Sequence, residues 1–92
     1  MIMLYGSEHG QIISFVVQLE CQFTGESEWI AVIRYDTVHG YTHRDTMHPF
    51  KEAKKARMSV KDYNEAFTSA INDVINNRHD YRRRYKEWLS QK

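Results

Sequence analysis

The chain has 92 residues, with 13 basic and 12 acidic side chains and a formal net charge of +1 when the histidines are neutral. That length holds one domain with a small core, which a partner subunit would help to stabilise. The charge balance excludes a protein that coats polyanions through bulk charge, while leaving room for a local basic patch.

No apolar run approaches the roughly 18–20 residues that span a bilayer, and Met1 to Tyr5 lacks the basic region of a secretory signal. The single cysteine, Cys21, excludes an internal disulfide and a cysteine metal cluster and reads as a buried strand residue. A cytoplasmic location without membrane contact is expected.

The first half reads as strand. Ile2 to Leu4 form a short first strand, and Tyr5-Gly6 to Gly10 a turn. From Ile13 to Phe23 the apolar residues Ile13, Phe15, Val17, Leu19, Cys21 and Phe23 alternate with mostly polar ones, as in a half-buried strand. Thr24 to Ser27 supplies a turn. A further strand runs from Glu28 to about Thr37, with Trp29, Ala31, Ile33 and Tyr35 facing the core. Ile30, Val32, Arg34 and Asp36 face the other way.

His39-Gly40 occupies the place of a tight hairpin loop. With those two residues as the loop, Asp36 lies opposite His43 and Arg34 opposite Asp45. Alternation then puts all four on one face as a charged square, an arrangement that a one-residue slip would scatter. Pro49 ends the strand, Lys51 to Lys55 is a basic connection, and Arg57-Met58 forms a last short strand. The remainder is helix, with Ser59 as N-cap and Asp62 completing an acidic form of the capping box. Its apolar stripe is Val60, Tyr63, Phe67, Ala70, Ile71, Val74, Tyr81, Tyr85, Trp88 and Leu89. Arg78 interrupts that stripe, so the helix is either long and straight or kinked near Asn76 to Arg78.

Residues 34 to 48 hold three of the five histidines (His39, His43, His48) with two carboxylates and two arginines. Such a set suits general acid–base work on a phosphodiester. His43 would shuttle the proton, Asp36 or Asp45 would orient it, and Arg34 or Arg44 would stabilise the developing charge. RNA supplies its own 2′-hydroxyl nucleophile, so this chemistry needs no metal. On this reading Tyr35, His39, His48, Arg82 and Arg83 are the substrate-binding residues. The same square also reads as a salt-bridged sheet surface. Zinc-type ligation by His39, His43 and His48 with Asp36 or Asp45 has the right donors, but the spacing matches no established ligand pattern, and no metal or cofactor is assigned. The run Arg78, Arg82, Arg83, Arg84 and Lys86, interleaved with Tyr81 and Tyr85, suits RNA or a solvated helix face. His9 and His79 read as surface residues, and Met47 and Met58 as packing.

The block Arg34-Tyr35-Asp36-x-x-His39-Gly40-x-x-His43-Arg44-Asp45, followed by a C-terminal helix that starts Asp62-Tyr63, resembles a small uncharacterised prokaryotic protein family. More distantly it is similar to TumE-type toxins of toxin–antitoxin operons, although it lacks their dense histidine run. The resemblance implies that the block is a site and does not identify its substrate; RNA, and an antitoxin or other protein, are the expected partners.

The expected fold is α+β: an antiparallel sheet of four to five strands with one long or kinked C-terminal helix on one face, in a single domain spanning residues 1–92. Its expected core is Phe15, Val17, Leu19, Trp29, Ile33, Tyr35, Phe67, Ile71, Val74 and Trp88. The leading functional expectation is a toxin-like, RNA-acting domain, and a homo-oligomer. The alternative is a non-enzymatic interaction module whose face of Ile30, Val32, Arg34 and Asp36 binds a protein partner. Either way, removing the His43 side chain is expected to leave folding nearly intact.

Overall fold

The computed structural model describes residues 1–25, 27–59 and 62–91. Five antiparallel strands form one sheet: β1 (Ile2–Glu8), β2 (Gln11–Cys21), β3 (Ile30–Asp36), β4 (His43–Thr46) and β5 (Lys54–Arg57), paired in chain order. One helix, α1 (Tyr63–Leu89), follows and crosses one face of the sheet over β2 and β3. The architecture is therefore the expected α+β meander with a C-terminal helix.

The strand alternation holds where the ladder is regular and fails at two bulges. Along β2, Phe15, Val17, Leu19 and Cys21 are all buried against the helix. Near the start of β2, Gly6 pairs with Ser14 but Ser7 pairs with Ile12, which leaves Ile13 as an extra residue. A bulge reverses the phase beyond it. Ile12 accordingly packs on the core, and Ile13 is exposed, against expectation.

The second bulge reverses β3. Leu19 pairs with Ile33 and Glu20 with Ala31, so Val32 is the extra residue. Val32 is only 1% exposed and joins the core, Ile30 packs beside it, and Trp29 is left 63% exposed. The expected core position of Trp29 and the expected outward face of Ile30 and Val32 are both corrected by this one inserted residue.

Other boundaries also move. β1 runs through Gly6 to Glu8, and the turn contracts to His9-Gly10, both at positive φ of 52° and 78°. That is the left-handed geometry a two-residue hairpin needs. Phe23 is buried beyond the end of β2, stacked on Tyr85. The last strand is Lys54–Arg57 rather than Arg57-Met58. The helix begins one turn later than expected. Asp62, not Ser59, is the N-cap, its carboxylate accepting the Asn64 N–H at 2.7 Å. Asn64 in turn accepts the Ile12 N–H, which ties the helix start to β2. Val60, expected in the apolar stripe, lies outside the described residues.

The helix is one element from Tyr63 to Leu89, and it contributes Ala66, Ala70, Val74 and Tyr85 to the core. Phe67, Ile71 and Trp88 pack against the margins of the core rather than at its centre. The two alanines are fully buried because small side chains let the helix backbone approach the sheet closely. No helix among the described residues is long and apolar enough to cross a membrane.

The bulge in β3 is open to a mutational check. Val32→Ala is expected to cost about 1–3 kcal/mol in urea unfolding, while Trp29→Ala stays within about 0.5 kcal/mol. The reverse order would restore regular alternation through β3.

Candidate functional site

β3 and β4 pair in the register that the loop position suggested. Asp36 lies opposite His43, Tyr35 opposite Arg44, and Arg34 opposite Asp45. The loop between the strands is held by the Gly40 N–H donating to the Thr37 carbonyl at 3.0 Å, with Gly40 at φ 83°. Thr37 is buried, and its hydroxyl accepts the Phe15 N–H from β2.

Alternation divides the candidate residues between the two faces of the sheet. On the outer face, away from the helix, lie Arg34, Asp36, His43 and Asp45. The His43 side chain is buried, with Nε2 at 3.1 Å from Asp36 Oδ1 and 3.8 Å from Asp45 Oδ1. An imidazole nitrogen facing two carboxylates carries a proton, which fixes the tautomer. Nδ1 is buried without a hydrogen-bond partner among the described residues, and Asp45 Oδ1 is buried with ion-pair contacts but no hydrogen bond. Arg34 pairs with Asp36 along its own strand, its Nε donating at 2.9 Å, rather than with Asp45 across the ladder. Asp36 Oδ1 also accepts the Val38 N–H. Asp45 is partnered instead by Lys55 of β5, at 3.5 Å.

What covers His43 is the β3–β4 loop. The His39 ring stacks on it at 5.5 Å, Tyr41 tilts against it at 5.8 Å, and the Arg57 guanidinium lies over the Tyr41 ring. His39 and Arg57 are exposed. The loop separates two depressions. One, of about 470 Å³, is lined by Arg34, Asp36 and Val38 with Leu4 and Val16. The other, of about 310 Å³, is lined by Gly40, Tyr41, Arg57 and Ser59. Asp36, His43 and Asp45 together could also ligand a cation, because one donor atom from each lies within 4.8 Å of the others.

Arg44 and Tyr35 face the helix, so the structure does not bring them to His43. There Asp73 accepts from Tyr35 OH, from Tyr81 OH at 2.6 and 2.7 Å, and from Asn77 Nδ2 at 2.8 Å. Burial first, and then Asp73, pushes the Tyr81 phenol up to about 12. The same two causes raise Tyr35 further. His48 is elsewhere again, stacked on Trp88 at 4.6 Å. Arg82 lies over Phe23 and donates to the Gln22 carbonyl, and Arg83 pairs with Asp80.

Sequence reading passed over Lys55, Arg57, Tyr41 and Asp73 as site residues, and named Arg84 only within the basic run of the helix. Lys55 was hidden because its segment read as a connection. Asp73, four residues before Asn77 and eight before Tyr81, was the available signal, being a carboxylate beside an apolar stripe.

A small meander sheet with one helix and a buried Asp–His–Asp set on its open face defines the class. The chain belongs to the family described as a domain of unknown function, DUF7718, whose sequence model matches residues 2–91. No curated protein and no solved structure matches the chain.

The burial of His43 changes one expectation. Removing a buried partner leaves Asp36 and Asp45 facing an empty space, so His43→Ala is expected to destabilise by about 3–5 kcal/mol. Chemical denaturation would check this, and an unchanged midpoint would show that water already reaches the carboxylates.

The tyrosine pair gives a second check. A phenol raised in the folded state contributes stability that is complete below its unfolded value, near 10. That contribution is lost as pH rises through about 12 for Tyr81. Ultraviolet titration should show late-ionising tyrosines, one fewer in Tyr81→Phe. The variant should also lose less stability between those two pH values.

Proposed function

We propose that this domain acts on RNA as a small toxin-like, metal-independent ribonuclease, with the outer face of β3 and β4 as its reactive centre. The observation that carries the reading is the Asp36–His43–Asp45 set, buried on an otherwise open sheet face and stacked beneath the exposed His39 ring. Burying ions costs several kcal/mol each. A solvated salt-bridge ladder would leave such groups in water, whereas functional sites regularly hold them dry. The similarity of the 34–45 block to TumE-type toxins supports the same reading.

His39 is the imidazole that reaches substrate, and His43 is a positioning residue. His39 takes the proton of the 2′-hydroxyl, O2′ attacks phosphorus, and the P–O5′ bond breaks. The departing 5′ oxygen takes a proton from water, leaving a 2′,3′-cyclic phosphate. Arg34 and Arg57, on either side of the loop, offset the charge that gathers on the phosphoryl oxygens. The side-chain contacts of Asp36 and Asp45 hold His43, and through it the stack that sets His39.

The alternative, an interaction module, is supported by a different observation. The face expected for it is unavailable, since Val32 is in the core. β1, however, is an edge strand whose Ile2, Met3, Leu4 and Tyr5 are 40–62% exposed. No charged side chain occurs from Met1 to Ser7, whereas the opposite edge, β5, carries Lys54, Lys55 and Arg57. Charged edges resist strand addition, and a bare apolar edge invites it from a second copy or an antitoxin strand.

Purified protein incubated with single-stranded RNA is expected to release cyclic-phosphate ends without added metal. His39→Ala should slow this by at least about 100-fold with an unchanged circular dichroism spectrum. Induced expression should arrest growth with the wild type and not with His39→Ala. No cleavage, combined with a dimer that Leu4→Lys dissociates in sedimentation, would reject the ribonuclease in favour of the interaction module.

A further inference from the structure

Two arginines on the helix side of the sheet lack counterions. Arg44 projects from β4 toward Tyr35, and Arg84 lies over the rings of Tyr81 and Trp88 at 5.3 and 5.1 Å. Among the described residues, neither guanidinium has a carboxylate within 4.0 Å. Each has its Nε buried without a hydrogen-bond partner. The nearby carboxylate, Asp73, is already occupied by two tyrosine hydroxyls and the Asn77 amide. Buried donors on an ionised group are costly to leave unpaired. Their planar forks match phosphate oxygens better than any other common anion.

The surroundings are open. The helix crosses β2 and β3 but not β4 and β5, so Arg44 lines a depression of about 290 Å³ with Tyr35, Ala56, Arg57, Met58 and Ser59. Arg57, Met58 and Ser59 also line the depression beside Gly40 and Tyr41 on the far side of the loop. The two depressions therefore share a wall, and a route runs from the His39 loop past Arg57 to Arg44. Tyr81, under the Arg84 guanidinium, shares Asp73 with Tyr35, the cross-strand partner of Arg44. Arg84 then lines a further depression with Asn77, Asp80 and Arg83.

We propose that Arg57, Arg44 and Arg84 form a track for the phosphates of single-stranded RNA, leading from the His39 loop round the β5 edge to the last turns of α1. The proposal rests on the RNA reading above and adds the strand's path. Lys54 and Lys55 of β5 are exposed along the same edge. The Trp88 ring, with His48 on it, ends the track in an aromatic surface of the kind that bases stack on. Arg83, which the sequence offered as substrate-binding, is held by Asp80 and contributes little.

The test uses a short fluorescent 2′-O-methyl oligouridine, which has no nucleophile and is not cleaved, in anisotropy titrations at several salt concentrations. Arg44→Gln and Arg84→Gln are each expected to weaken binding about tenfold. Each should reduce the slope of log affinity against log salt by about 0.7. Arg44→Lys should retain the slope while losing affinity, and Arg83→Gln should change neither. Arg84 sits on the helix rather than in the sheet, so its variant decides the matter if Arg44→Gln does not fold. Unchanged affinity and slope in the folded Gln variants would overturn the track. So would a labelled uridine monophosphate that binds as tightly as the oligomer, because the site would then hold one phosphate only. Binding without RNA cleavage in any assay would uphold the track and reject the ribonuclease. Cleavage with unaltered binding in both variants would do the reverse.

Discussion

The pairing of β3 with β4 is the constraint on which the rest of this molecule depends. With Asp36 opposite His43, every odd-numbered residue of β3 from Ile33 onward faces the helix, and every even-numbered one faces out. A slip of one residue would turn His43 toward the apolar core and Arg44 toward the solvent face, dismantling both clusters together. The register is held at one end by the Thr37–Gly40 turn and at the other by the Met47 N–H donating to the Val32 carbonyl. The bulged residue thus serves twice. It fills the core with its side chain and fastens β4 with its backbone.

The two faces solve different problems. Between sheet and helix, apolar burial supplies the stability, and the Asp73 carboxylate there is satisfied by neutral donors that remain protonated at ordinary pH. On the outer face no second layer among the described residues covers the sheet, yet Asp36, His43 and Asp45 are buried. The loop does the covering, through the stack of His39 and Tyr41 on His43 and the cation of Arg57 on Tyr41. A protein of this size has little stability to spare. Holding such a set dry is a cost that a purely structural surface would avoid with aliphatic residues.

The short reach of the helix across the sheet matters as much. By covering β2 and β3 it makes the core, and by stopping short of β4 and β5 it leaves one side of Arg44 open. The edge beyond is a four-residue strand with three cations, so the open side is both accessible and electropositive. The far edge, β1, is its opposite: seven residues long and apolar through Tyr5.

How much of this was legible follows from the range of each interaction. Periodicity of two along Phe15 to Cys21, the single long apolar stripe of the helix and the His39-Gly40 loop signal fixed the fold class. They also fixed the Asp36–His43 and Arg34–Asp45 register, because those signals are local and repeat at the spacing of the backbone. Trp29, Val32 and Ile13 were misplaced because a bulge inserts one residue without any compositional mark. Asp62 displaced Ser59 as the cap because Asn64 anchors the helix to β2 there, a contact between residues 52 apart in the chain. The sequence by itself determined which chemical groups gather in residues 34 to 48 and that they sit on paired strands. Only the tertiary structure decided that the helix leaves one side of Arg44 open, that Lys55 and not Arg34 partners Asp45, and that His43 is shut from water beneath His39. Those outcomes depend on where the helix stops, where the loop folds and which long side chains meet across strands, none of which is set by a local spacing.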